Sequence, residues 1–188
     1  FEEELTCTEI ATSLRPRYVG AWVNRGYALM KLRRFREAVS AYTRALEVYP
    51  RFASAWVNMG IACCQMGEYA RAVSCFESAE RIRPLLNVRG LYWKGVALSR
   101  SGRRKEAIAI LSKVVSEDPR HAEAWIELSN CHFMIGEIEE SVRCFMVAYG
   151  IDKQDIRDSL SRAVTLLREG KKEEGVRCLS QALGILLR

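Results

Sequence analysis

Histidine is almost missing from this chain of 188 residues: His121 and His132 are the only two. So few imidazoles exclude a histidine-rich metal centre and a pair of histidines on one helix face. The seven cysteines, Cys7, Cys63, Cys64, Cys75, Cys131, Cys144 and Cys178, include no C-x2-C pair, so zinc-ligand spacing is lacking too. Their odd number and their helical positions read as reduced packing thiols, which behave as small apolar side chains in a reducing compartment. A cytoplasmic location is therefore expected. No apolar run approaches the ~20 residues of a membrane-spanning helix. The opening residues FEEELT have neither the basic nor the apolar segment of a secretory leader. A Gly-rich phosphate loop and a Ser-His-Asp set are also wanting. His132 takes a core leucine-type position and reads as a packed histidine, and Glu139 and Glu140 read as helix surface. The sequence thus predicts no catalytic residue, no metal and no cofactor.

Acidic residues are absent from two long stretches. Positions 15–36 hold seven basic residues and no acid, and positions 81–105 hold eight and none. The opposite sign gathers at Glu137, Glu139 and Glu140, within a net charge of +6. These stretches read as solvated turns or as basic rims suited to an acidic partner.

Proline is as scarce as charge is uneven, and its placement is informative. Pro16, Pro50, Pro84 and Pro119 stand 34, 34 and 35 residues apart. The stretch 53–86 moved back by 34 residues brings Trp56 onto Trp22, Gly60 onto Gly26, Ala72 onto Ala38, Ala79 onto Ala45 and Pro84 onto Pro50. A fixed period of this length marks a stacked helical repeat. The order Trp, Gly, Ala, aromatic, Ala, Pro at constant spacing resembles the tetratricopeptide repeat, and the resemblance covers nearly the whole chain.

The resemblance implies an all-α fold, a right-handed α-solenoid of stacked antiparallel helix pairs. Residues 1–18 read as the second helix of a truncated preceding repeat, because Ala11 and Pro16 are spaced like Ala45 and Pro50. Its first helix is expected upstream. Repeats then occupy 19–52, 53–86, 88–121 and 122–155, with Asn87 as an extra residue. Residues 156–188 form a degenerate fifth repeat or capping helices. Leu91 replaces the tryptophan of the third repeat and Ser159 that of the fifth, while Lys153 stands in place of a proline.

Each unit keeps a small residue on its first helix and another twelve positions later on its second. The pairs are Gly26 and Ala38, Gly60 and Ala72, Gly95 and Ala107, Ser129 and Ser141, and Ala163 and Gly175. Helices joined by a short turn approach closely where side chains are small. Glycine inside a helix costs about 1 kcal/mol relative to alanine, so its recurrence suggests a steric demand. Trp22, Trp56 and Trp125 read as wedges between neighbouring units.

By resemblance to the family, first helices line a concave groove, with binding positions one turn either side of the small residue. The groove set comprises Asn24, Tyr27, Asn58, Ile61, Arg89, Tyr92, Trp93, Glu127, Asn130 and Phe133. Its mixture of apolar and amide groups suits a peptide. Asn24 and Asn58 are equivalent positions that resemble the asparagine ladder of some tetratricopeptide arrays. The next rungs are Trp93, Glu127 and Ser161, so the ladder stops. Of the carboxylate clamp of chaperone-binding relatives only Asn58 and a charge at Arg89 survive, which argues against a chaperone tail.

The expected function is a non-catalytic protein–protein interaction scaffold that binds a peptide or partner domain in the groove. One alternative is the recognition arm of a larger enzyme or assembly complex. A second is nucleic-acid binding through the basic turns Arg33, Arg34, Arg36 and Arg103, Arg104, Lys105, which is disfavoured; no membrane partner is expected. The last helix, 172–187, ends with Leu183, Leu186 and Leu187. These leucines either cover the core or pair two chains as a homodimer.

Overall fold

The computed structural model describes residues 2–150, 162–171, 173–175 and 177–178. The chain is all-α, and no strand occurs among the described residues. The last-helix leucines Leu183, Leu186 and Leu187, together with Lys153, Ser159 and Ser161, lie outside them. Two units divide the chain, Phe1–Ile110 and Leu111–Arg188.

The first unit begins with α1 (Glu2–Leu14), the helix expected from Ala11 and Pro16, followed by α2 (Val19–Lys31) and α3 (Phe35–Val48). Next come α4 (Ala53–Gln65), α5 (Tyr69–Ile82) and α6 (Val88–Arg100). The division between units falls within α7 (Arg104–Glu117). α2 packs on α3 and α4 on α5, and each helix also packs on the next along the chain as far as α6. α4 touches α2 and α6 as well. The first helices of successive pairs therefore stand side by side in this unit.

Burial follows from that arrangement. α3 buries Ala38, Val39, Ala41, Tyr42, Ala45 and Leu46, one stripe at helical spacing. α4 has neighbours on several sides and buries an unbroken run from Met59 to Cys64. The Cys63 thiol on α4, together with burial, holds the Cys75 thiol on α5 well above its ordinary range. Five of the cysteines are buried, Cys7 is exposed and Cys178 is half-buried.

The small pairs are buried in every unit. Their packing differs in one respect from a plain meeting of small residues. At Gly26 the space of a Cβ is taken by the ring of Tyr42, whose Cε1 would stand 2.5 Å away. At Gly60 the ring of Phe76 fills that place, with Cζ at 3.0 Å. The glycine thus seats an aromatic side chain from the second helix, beside which Ala38 or Ala72 is small enough to fit.

The tryptophans at the repeat position, Trp22, Trp56 and Trp125, are straps rather than wedges alone. The Trp22 Nε1–H donates to the Pro16 carbonyl at 2.8 Å, and that of Trp56 to Pro50 at 2.9 Å. A half-buried indole needs such a partner, and each bond ties a first helix to the connection that precedes it.

In the second unit, α8 (Ala122–Met134) packs on α9 (Ile138–Ala148). Trp125 Nε1–H donates to the Pro119 carbonyl at 3.0 Å, repeating the strap. The Ser129 hydroxyl donates to the Ser141 carbonyl at 2.8 Å and lies 3.1 Å from the Ser141 hydroxyl. Here the two small residues do meet directly. Residues 162–168 are helical, and a Cβ on Gly175 would stand 2.7 Å from Leu167 Cγ and 3.3 Å from the Ala163 carbonyl. His132 is mostly covered, as expected, with Nδ1 2.6 Å from a Glu137 carboxylate oxygen.

Candidate functional site

Seven of the residues expected in a groove lie on α2, α4 and α6, helices that stand side by side; three of them, Asn58, Ile61 and Arg89, line one cleft. Asn24 and Tyr27 are exposed on α2, with Lys31 Nζ 5.2 Å from the centre of the Tyr27 ring. Asn58 is half-buried on α4. Ile61 is only 2% exposed, so it contributes floor rather than reach. Arg89 is exposed on α6, and Tyr92 and Trp93 are half-buried beside it, their rings edge to face at 5.4 Å. The Trp93 carbonyl accepts a long contact from the Cys64 thiol, 3.8 Å, which joins α6 to α4.

Glu127, Asn130 and Phe133 belong to α8 in the second unit. Asn130 and Phe133 are exposed, whereas Glu127 is buried at 9% exposure. A buried carboxylate serves packing and hydrogen bonding before it serves a ligand.

A cleft of about 310 Å³ opens on the first unit's face. One wall is α4, with Ser54, Val57, Asn58 and Ile61; the other is the α5–α6 connection, with Arg83, Leu85 and Leu86, and Arg89 at the start of α6. Asn87 fixes this wall. Its side-chain oxygen accepts from the Gly90 N–H at 2.9 Å and caps α6, an interaction of about 1 kcal/mol. A Cβ on Gly90 would press on that same oxygen at 3.2 Å and on Leu86 at 3.3 Å. The extra residue of the third repeat therefore starts the helix and shapes the cleft. Arg83, Leu85 and Leu86 were not among the expected groove residues. The interruption of the 34-residue period at Asn87 was the signal that could have found them.

Two other clefts of the first unit, about 410 and 580 Å³, lie at the turns of helix pairs. Their charges are largely committed. Arg34 grips Glu37 through two contacts of 2.7 Å, and Arg71 meets Glu68 at 3.0 Å. These bonds raise the Arg34 pKa and lower that of Glu37. Arg103 is likewise shared between Glu106 at 2.7 Å and Glu77 at 3.3 Å.

The groove cleft offers amides, guanidinium groups and apolar side chains, which can hold a chain but contain no nucleophile next to a base. Among the described residues no group of histidine, cysteine or carboxylate side chains could hold a metal ion. Nor is any described helix long and apolar enough to cross a membrane.

Two family models described as tetratricopeptide repeat match the chain, one over residues 23–87 and 64–115 and the other over 98–158. No curated protein matches it in sequence. Among solved structures it is similar to YrrB, described as a TPR protein with an unusual peptide-binding site, at 21% identity and a TM-score of 0.76. That alignment covers 95% of this chain and 91% of YrrB. It is also similar to MamA 41-end from Desulfovibrio magneticus RS-1, at 20% identity and a TM-score of 0.70, covering 88% and 93% of the two chains. A tetratricopeptide repeat protein from Parabacteroides merdae gives 18% identity and a TM-score of 0.64, covering 97% and 71%. At these identities the likeness concerns the fold.

Proposed function

The chain belongs to the tetratricopeptide repeat family, and from that premise we propose that it is a non-catalytic scaffold holding a partner peptide on the α2–α4–α6 face. Proteins of this family serve as protein-interaction scaffolds. The observation that carries the reading here is the 310 Å³ cleft against α4, where Asn58 and Arg89 meet Val57, Leu85 and Leu86. Apolar side chains supply contact area, and an amide bonds a peptide N–H and C=O together. Asn24, Tyr27, Ile61, Tyr92 and Trp93 extend the binding face in this unit, and Asn130 and Phe133 offer a separate exposed surface on α8 with Glu127 beneath.

Nucleic-acid binding at the basic turns is the weaker reading. One arginine of each cluster, Arg34 and Arg103, is already paired with a glutamate, and a phosphate backbone would have to displace it. Capture of partners by the wild-type chain and by an Asn58→Ala, Trp93→Ala double variant tests the proposal. The variant should fold and lose most of its partners; equal capture would remove the groove from the account.

A further inference from the structure

The positive charge in the groove cleft has no counter-ion within its own unit. Arg83 and Arg89 are both exposed, and neither forms an ion pair with a described residue. The glutamates that follow α1 in this unit are spent elsewhere. Glu37, Glu47 and Glu68 pair with arginines of their own turns or helices, Glu77 and Glu106 with Arg103, and Glu80 with Lys94 at 2.7 Å. Positions 81–105 contain no acid at all. Between the two arginines, Leu85 is 82% exposed, and with the half-buried Leu86 and Val57 it makes a continuous apolar lining at the mouth of the cleft. Charge and apolar surface thus alternate along one short wall, and neither is satisfied by the described residues.

We propose that this cleft takes an acidic peptide of a partner protein, with an apolar side chain against Val57, Leu85 and Leu86 and carboxylates on Arg83 and Arg89. The inference rests on the reading of this face as a peptide groove and adds the chemistry of the occupant. A guanidinium fork matches a carboxylate in two bonds, and two such forks flanking a leucine select acid–apolar–acid order. Asn58 then faces the backbone of the bound segment. A nucleic acid would satisfy the arginines but leave Leu85 without a partner.

The test uses the full chain and four probes of equal length: peptides alternating leucine with aspartate, with asparagine or with lysine, and an oligouridylate. Titration is followed by fluorescence anisotropy and by backbone amide resonances of α4 and α6. The aspartate peptide should bind at least ~10-fold more tightly than the asparagine peptide, a preference that salt reduces. An Arg83→Gln, Arg89→Gln variant should melt as the wild type does, because both side chains are exposed, and its preference should fall to about one. Leu85→Ser should weaken the leucine–aspartate and leucine–asparagine peptides alike. Equal binding of aspartate and asparagine peptides to the wild type would overturn the acidic occupant while leaving the groove intact. Tighter binding of the oligouridylate through the same arginines would overturn the partner class. No peptide shifting α4 or α6 would overturn the occupant and the groove together. The wild-type comparison stands without any variant.

Discussion

The ring of Tyr42 lies directly on the backbone of Gly26, where a Cβ would come within 2.5 Å of Cε1 and 2.7 Å of Cζ. Phe76 sits on Gly60 in the same manner, but less closely, with Cζ 3.0 Å from where a Cβ would stand. Gly26→Ala should therefore destabilise the protein by about 1–3 kcal/mol through overpacking. Both substitutions gain about 1 kcal/mol of helix propensity, but Gly60→Ala should cost less, because the Phe76 ring stands 3.0 Å rather than 2.5 Å from the new Cβ and has less to yield. Urea denaturation of the two variants, side by side, measures the difference.

The same tyrosine carries a hydroxyl that is fully buried and has no hydrogen-bond partner. The equivalent residue Phe76 has none to satisfy. Tyr42→Phe should be neutral or stabilising by up to about 1 kcal/mol, since an unpaired buried hydroxyl is a cost without a return. Thermal unfolding of the variant checks this, and a clear loss of stability would show that the hydroxyl is bonded.

Burial also sets a dependence on alkaline pH. It pushes the Cys64 thiol up to about 12 and the Cys144 thiol up to about 11, and it raises the Tyr42 phenol beyond its ordinary range. Each group ionises in the unfolded chain before it does so in the folded one. Its contribution is complete below the unfolded thiol range, near pH ~8.5, and is lost as pH rises through the folded values. The urea midpoint should therefore fall steadily above that range, and the fall should be shallower in Cys64→Ala.

Arg33 occupies a left-handed backbone conformation, φ 59°, where the next repeat places Gly67 at φ 78°. A side chain there costs about 1–2 kcal/mol, part of which a glycine returns as chain entropy. Arg33→Gly should stabilise the first unit by roughly 0.5–1 kcal/mol. A rise in melting temperature checks it.

In the second unit, Ser129→Ala should cost about 1–3 kcal/mol because it removes the hydroxyl donor to the Ser141 carbonyl and the acceptor of the Ser141 hydroxyl. The double variant Ser129→Ala, Ser141→Ala should recover part of that loss, and a double-mutant cycle reads the coupling.

Much of this fold was legible in the period of 34. The helices, the turn at Gly67, the buried small residues and the helix over 2–14 all follow from spacing and residue type. Spacing placed Gly26 and Ala38 on facing surfaces, yet it could not say which side chain crosses between them. That depends on how far Tyr42 reaches, which is a property of side-chain length and direction rather than of register. The site was legible in part for a related reason. Asn58, Ile61 and Arg89 lie on helices, where periodicity assigns a face. Arg83, Leu85 and Leu86 lie in a connection without period, and only the extra residue Asn87 marked it. Ile61 shows the converse: the right face of a helix does not guarantee exposure when a neighbouring helix packs over it.

Partner binding is proposed on α4 and α6 of the first unit. Amide hydrogen exchange of the full chain, with and without the leucine–aspartate peptide, tests that placement most directly. Exchange should slow at the start of α6, in the 83–87 connection and along the Val57 and Asn58 turn of α4, while α3 is unchanged. Slowing confined to α3 and α5, or no slowing in the first unit under saturating peptide, would contradict it.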